Sequence, residues 1–546
     1  MRPGVDPHSA THKPLLPPAA YDCRTEQGLT IERNCAIPLR DGTVIFADLY
    51  RPEGATANVP LLLAWGPYGK HALSNQVFWP RSGVDPAWLS NLTAFEAPDP
   101  VFWGRHGVGV AVVDPRGAWL SGGDFHHNGA QEAEDCADAI EWLAGRPWCN
   151  GRIGMTGVSY LACIQYLVAP LHPPALAAIN PWEGFSDWYR EFACHGGIPE
   201  TGFVPRASDN IRFSLNRTED TWANVQAHPL IDDYWRSKDP DLEAITQPAY
   251  VVAGWADQGL HLRGTIEAWR RMGSRAKWLE VHGQKKWAHY YRPESGARRL
   301  AFFEHTLFDK PTALAAWPPV RFEVRETHGV ATERDATAFP PTDCRLHELL
   351  LHSDGRLAAE PAEQGIVRYA AATGRATFDH RFATETEITG HCSLRLWVKA
   401  EGSDDMDLFV ALQKLDADGE PVGMTFYAFY ENGPVALGWL RVSHRALDLE
   451  RSTTDRPAHL HTSEQPLAPG ECVPIEIEIW PSSTLFRAGE TLRLVIAGTD
   501  IYPREEGAML PFAVHERTRN RGTHILRFGG AFDAKLRVPV RPHKKD

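Results

Sequence analysis

One serine in this chain stands where a hydroxyl could become a nucleophile. Ser159 follows Gly157-Val158, behind the short apolar run Ile153–Met155, and precedes an apolar-rich segment with no proline until Pro170. The pattern predicts strand, abrupt turn, helix. Gly157 lets the backbone swing sharply, Oγ is left exposed at the apex, and the starting helix leaves unpaired N–H groups pointing at whatever binds there. This is the geometry of a nucleophile elbow, with Leu161 where the usual Gly-x-Ser-x-Gly has its second glycine. Taken alone, Gly157-x-Ser159 fits equally well an ordinary turn with an N-cap serine.

A serine hydroxyl attacks only if a base takes its proton, an acid orients that base and donors hold the oxyanion. In sheet-based hydrolases the partners follow in the order Ser, Asp/Glu, His, each just past a strand. Asp257 lies after the apolar run Ala249–Ala253, and its other reading is an N-cap for a helix over Leu260–Arg271. His282 ends the next run, Lys277–Val281, and His289 follows seven residues on. His282 is favoured as base, because the sheet would hold a strand-end residue, with His289 as the alternative. The oxyanion needs two donors. One is the backbone N–H of Tyr160, and the other is offered by Tyr68, in the loop after Pro60–Trp65.

The elements that must position these groups follow from the apolar periodicity. Asp41-Gly42 separates two strand-like runs, a hairpin signal. Continuous apolar runs at Pro60–Trp65, Val108–Val113, Ile153–Met155, Leu176–Asn180, Ala249–Ala253 and Lys277–Val281 alternate with helical stretches such as Gln131–Ala144 and Glu294–Phe308. Such runs predict a parallel sheet covered on both faces. Between Trp182 and Thr246 the pattern turns helical and aromatic, as in an inserted lid. After Pro318 short alternating strands predominate, including Val320–Glu326, Cys392–Lys399, Leu408–Leu415, Val473–Ile479 and Thr491–Ile496, as in a β-sandwich. The expected organisation is a flexible leader (1–25), an α/β-hydrolase domain (26–182 and 247–316), a helical cap (183–246) and a C-terminal jelly roll (317–546).

Composition narrows the classes. At 546 residues, 43% hydrophobic and 23% charged, the chain is that of a multidomain globular protein. A net charge of −13 without a basic block argues against nucleic-acid binding. Nine cysteines with no Cys-x-x-Cys pair argue against a disulfide framework or a cysteine metal site. No apolar run is long enough for a bilayer, and the N-terminus lacks an apolar signal region, so a reducing cytoplasm is expected.

Further motifs carry a specific resemblance. These are Arg40-Asp41-Gly42-Thr43 with Ala47-Asp48-Leu49-Tyr50-Arg51-Pro52, Pro67-Tyr68-Gly69-Lys70, Asp114-Pro115-Arg116-Gly117 with Ser121-Gly122-Gly123, and Trp148–Gly154 leading into Gly157-Val158-Ser159-Tyr160. Gly254-Trp255-Ala256-Asp257 and Pro466-Leu467-Ala468-Pro469-Gly470-Glu471 complete the set. From about residue 26 to its end the chain resembles the CocE/NonD serine hydrolases: cocaine esterases, X-prolyl dipeptidyl-peptidases and α-amino acid ester hydrolases. The resemblance implies an α/β-hydrolase domain, a helical cap and a jelly roll, with Ser159 as nucleophile, Asp257 as orienting acid, and the Tyr68 hydroxyl and Tyr160 N–H as oxyanion hole. Two departures stand out. Ala162 replaces a usual glycine, and the Gly-Pro-Trp-x-His loop is absent, His282-Gly-Gln-Lys-Lys-Trp-Ala-His289 standing there instead.

The sequence thus predicts a serine hydrolase that needs no cofactor or metal and acts on a small-molecule ester or amide, with Trp182 and Trp255 as pocket walls. Homo-oligomerisation is left open. Carboxylesterase is favoured over X-prolyl dipeptidyl-peptidase, which would need an anionic subsite such as Glu183, Asp187 or Glu191. The alternative of another class is a ligand-binding protein with a degenerate hydrolase core. His347…His352 are spaced wrongly for a zinc helix, His126-His127 and His459/His461 suit solvated loops, and Glu132, Asp135 and Asp138 are expected on one solvent-facing side of a helix.

Overall fold

The computed structural model describes residues 1–9, 20–71, 82–308, 310–311, 313–502 and 513–542. Its centre is a sheet built on β1 (Leu29–Pro38), β2 (Val44–Pro52), β3 (Val59–Trp65), β4 (Gly109–Asp114), β5 (Cys149–Val158), β6 (Leu176–Trp182), β7 (Ala249–Gly254), β8 (Lys277–His282) and β9 (Val320–Thr327). The spatial order is β1-β2-β4-β3-β5-β6-β7-β8-β9. The β1–β2 hairpin turns at Asp41-Gly42, where Gly42 has φ +85° and the Asp41 carboxylate accepts from the Thr43 N–H. Across β4-β3-β5-β6-β7-β8-β9 every pairing is parallel, so the C-terminal ends of all seven strands open on the same rim.

Alternation along the strands divides the core. Leu61, Leu63 and Trp65 of β3 pack with Ile140 and Leu143 of α1 (Ala130–Ala144), Ile164 of α2 (Tyr160–Val168) and Ile266 of α3 (Leu262–Arg271). Leu62 and Ala64 point the other way, towards Tyr290 of α4 (Lys286–Tyr291) and Phe302 and Phe303 of α5 (Pro293–Phe308). A sheet buried on both faces is what the unbroken apolar runs require.

Between β6 and β7 the chain forms a cap of short helices, including a π-helix at Trp188–Ala193 and α-helices at Phe203–Asn210 and Thr221–Ala227. The C-terminal strands form a sandwich. One sheet joins Arg345–Leu351, Lys535–Arg541, Thr386–Glu401 and Val473–Phe486, and the other joins Arg375–Arg381, Thr491–Ala497, Asp407–Leu415 and Ala436–Arg441. Their inner faces share a core that includes Leu394, Leu396, Ile477, Leu494 and Leu536.

Two expectations are corrected. The first residues are not a loose leader: Arg2–Pro3 pair with Arg217–Thr218, Arg2 meets Asp209 at 3.0 Å, and Asp22–Glu26 pair with β1; residues 10–19 of that stretch lie outside the described set. Val320–Thr327, assigned to the sandwich, adds to the hydrolase sheet as β9, parallel to β8. Alternating polarity marks a strand but not its sheet.

Candidate active site

Ser159 sits at the tip of β5 with φ +60° and ψ −117°, a conformation costing about 1–3 kcal/mol that the surroundings must impose. Its N–H donates to the Trp182 carbonyl at 3.0 Å, and that of Val158 to the Glu96 carbonyl at 3.2 Å. The side chain of Leu161 fills the inside of the turn. A Cβ on Gly157 would lie 2.5 Å from Leu161 Cβ, and one on Gly66 would lie 2.4 Å from Leu161 Cδ1. The leucine in place of the elbow's second glycine is thus accommodated by glycines elsewhere.

The imidazole facing Ser159 belongs to neither histidine singled out from the sequence. His261 Nε2 lies 3.1 Å from Ser159 Oγ, and His261 Nδ1 lies 2.6 Å from Asp257 Oδ2. His261 comes from the same loop as Asp257, past Gly259 at φ +91°, and its ring stacks on Phe185 at 5.8 Å and 13°. His282 instead places Nε2 3.1 Å from Glu183 Oε1 and stacks at 3.7 Å on His289, whose Nε2 reaches Glu280 at 2.8 Å. Both are buried behind the site as structural groups. The usual chain order puts the histidine past the next strand; the signal for His261 is its place four residues after the aspartate, in Asp257-Gln-Gly-Leu-His261.

The electrostatics suit a base. Burial, reinforced by the Lys286 ammonium, outweighs Asp257 and brings His261 down to about 4, so the ring is neutral at physiological pH. Burial would raise Asp257, but His261 and Lys286 overcome it and hold the carboxylate ionised. Lys286, the first residue of α4, stands 2.5 Å from Asp257 Oδ2 and 2.8 Å from His261 Nδ1.

The Tyr68 phenol lines the cavity beside Ser159, and burial keeps it protonated as a donor. Its ring meets Phe95 edge-on at 5.0 Å and Tyr160 at 6.3 Å. The Tyr160 hydroxyl donates to Glu132 at 2.7 Å and accepts from the Asn128 N–H. That fixes the residue whose backbone N–H opens α2. Glu132, expected on a solvated face, is therefore buried support for the elbow; it also accepts from Trp65 Nε1 at 2.9 Å.

Ser159 and His261 open on a mainly apolar cavity of about 420 Å³, walled by Phe95, Trp119, Trp188, Phe192, Phe213 and Trp287. Trp182 and Trp255 are not walls. Trp182 is buried against Tyr290 and donates to Asn180, and Trp255 donates to the Glu323 carbonyl. The acidic cap residues are engaged as well: Asp187 with Arg190 at 2.6 Å, Glu191 with Arg263 at 2.7 Å, and Glu183 with His282. Glu96 does line the cavity, and burial raises its carboxyl to about 8.

The sandwich holds the loop that carries the acid and the base. The Tyr427 N–H donates to the Ala256 carbonyl, the Leu437 N–H to the Gln258 side chain, and Gln258 Nε2 to the Pro481 carbonyl.

Over 94% of its length the chain is 38% identical to a CocE/NonD family hydrolase from Staphylococcus aureus, superposing with a TM-score of 0.92 over 94% of that chain. The chain belongs to the CocE/NonD family of serine hydrolases. Residues 41–210 and 203–291 match the X-Pro dipeptidyl-peptidase (S15 family) model, and residues 303–537 match the X-Pro dipeptidyl-peptidase C-terminal non-catalytic domain. A cocaine esterase from a Rhodococcus species is 27% identical over 60% of this chain, a match spanning 63% of that protein. An α-amino acid ester hydrolase shares the fold at 16% identity, with a TM-score of 0.71 over 98% of this chain and 99% of that one. This CocE/NonD hydrolase is an α/β-hydrolase domain with an inserted cap and a jelly-roll domain. Among the described residues no helix is long and apolar enough to cross a membrane.

Proposed function

We propose that this CocE/NonD hydrolase cleaves carboxylic esters with apolar acyl groups through an acyl-enzyme, using Ser159, His261 and Asp257. The observation that carries the reading is the chain of contacts from Ser159 Oγ through His261 to Asp257, 3.1 and 2.6 Å, at the wall of an apolar cavity. His261 Nε2 takes the hydroxyl proton as Oγ attacks the ester carbon. The negative charge gathers on the former carbonyl oxygen, and the Tyr68 hydroxyl and Tyr160 N–H stabilise it. Collapse breaks the bond to the alkoxy group, which leaves with the proton from His261. Water, deprotonated by the same imidazole, then frees the acid.

Neutral esters are favoured over peptides with a free amine, because Asp187 and Glu191 pair with arginines and Glu183 with His282. Glu96 is held protonated to about 8 and offers no standing negative charge below that pH. The nine cysteines, all free thiols, support a reducing, cytoplasmic location.

A fluorophosphonate probe tests the site: it labels the wild type and fails on S159A and H261A, whereas labelling that survives S159A refutes the nucleophile. p-Nitrophenyl acyl esters should turn over at least about 100-fold faster, by kcat/KM, than an X-Pro anilide. The opposite ranking identifies a dipeptidyl-peptidase.

A further inference from the structure

A buried lysine has been inserted into the site. Lys286 Nζ lies 2.5 Å from Asp257 Oδ2, 2.8 Å from His261 Nδ1 and 4.0 Å from Glu183 Oε2. The imidazole and the ammonium therefore converge on one carboxylate oxygen, while Asp257 Oδ1 has no hydrogen-bond partner among the described residues.

His261 Nδ1 carries at most one hydrogen. If that hydrogen points at Asp257, Nε2 is a lone pair facing Ser159 and the ring can accept the hydroxyl proton. If the ammonium donates to Nδ1, the hydrogen moves to Nε2 and the ring cannot. Lys286 therefore stands where the tautomer is decided, and its charge opposes the imidazolium form.

The groups facing this pair come from several elements. They are Asp257 on the same loop as His261, Glu183 after β6, Glu96 from the loop before the helix Pro100–Arg105, His282 behind Glu183, and the Tyr427 hydroxyl from the sandwich. Burial raises the Glu96 and Glu183 carboxyls towards their neutral forms, which leaves Asp257 as the standing counter-charge. Asp257 above all holds Lys286 protonated against its own burial.

We propose that Lys286 is a positioning residue of the Ser159–His261–Asp257 site: an ammonium that shares Asp257 with His261 and fixes the pH range in which His261 works as a base. This rests on the reading of His261 as base, and the experiment separates the two. Probe labelling of S159A and H261A tests the site; the acid limb of kcat/KM, followed by product quantitation on an aryl ester, tests Lys286. The wild-type limb is expected below about pH 5.5, under the ordinary histidine value. In K286M it should move up by about one pH unit or more, and K286R, which keeps the cation, should stay near the wild type. A wild-type limb at about 6.5 or above overturns the proposal whether or not K286M folds. So does a K286M limb that stays in place or moves down.

Discussion

Asp257 Oδ2 and His261 Nδ1 meet at 2.6 Å from positions four residues apart on a single loop. The two residues are thus one rigid unit, closed by Gly259 and clamped from the sandwich side through Ala256 and Gln258. H261A is expected to lose about 1,000-fold or more in kcat with KM little changed. H282A should keep kcat within roughly an order of magnitude. It should lose about 1–3 kcal/mol of stability, because Glu183 is left without its buried partner. Steady-state kinetics with thermal melts check both; an H282A enzyme as dead as H261A would return the base to the strand end.

Tyr68→Phe removes a hydroxyl beside Ser159 while leaving the ring against Phe95 and Tyr160. If that hydroxyl steadies the oxyanion, kcat falls about 100-fold or more with KM and Tm nearly unchanged. A fall confined to KM would make Tyr68 a binding group instead.

The sheet was legible because strands buried on both faces leave unbroken apolar runs: β3, β4, β6, β7 and β8 follow those runs within one or two residues, while β5 extends further at both ends of its run. That Ser159 and Asp257 stand at the sheet's rim was legible because strand ends are written locally. The imidazole that faces Ser159 was not, because nothing in periodicity distinguishes His261 from His282; the difference is made by Gly259, by the Phe185 ring and by the Glu183 carboxyl that takes His282. Trp182 and Trp255 are not walls for a related reason: standing at the end of a rim strand does not say which side of the sheet a ring enters. Glu132 looked solvated because its bonds to Trp65 and Tyr160 span distant parts of the chain.

Packing at the elbow makes its own forecast. G66A places a methyl 2.4 Å from Leu161 Cδ1, an overpacking expected to cost about 1–3 kcal/mol. L161A removes the clashing group, so G66A/L161A should be more stable than the sum of the single changes by about 0.5 kcal/mol or more. Strict additivity in denaturant melts would show that Leu161 is not what confines Gly66.

Glu96 couples the cavity to pH. Its carboxyl titrates near 8 in the folded protein against an ordinary 4.5, burial being the main cause. Between those values the native state holds a proton that the unfolded state has released. Stability therefore falls as pH rises through that window, by at most about 1.4 kcal/mol per unit. E96Q, neutral throughout, should show a shallower decline of Tm from pH 5 to pH 8. An unchanged slope would mean that Glu96 is ionised in the native state.

Arg263 ties the cap and the sandwich to the helix that follows His261. It sits in the first turn of α3, two residues beyond His261, and pairs with Glu191 of the cap at 2.7 Å and Glu478 of the sandwich at 2.9 Å. Arg263 and Glu191 are buried and Glu478 is half-buried, so R263M strands both carboxylates and should cost about 3–5 kcal/mol. Lysine keeps the charge but not the planar fork, and R263K should recover only part of that loss. Because α3 anchors the loop carrying His261, kcat of folded R263M at low temperature should also fall, whereas loss of stability alone would leave it intact. A melt that drops while low-temperature kcat holds would limit Arg263 to joining the domains.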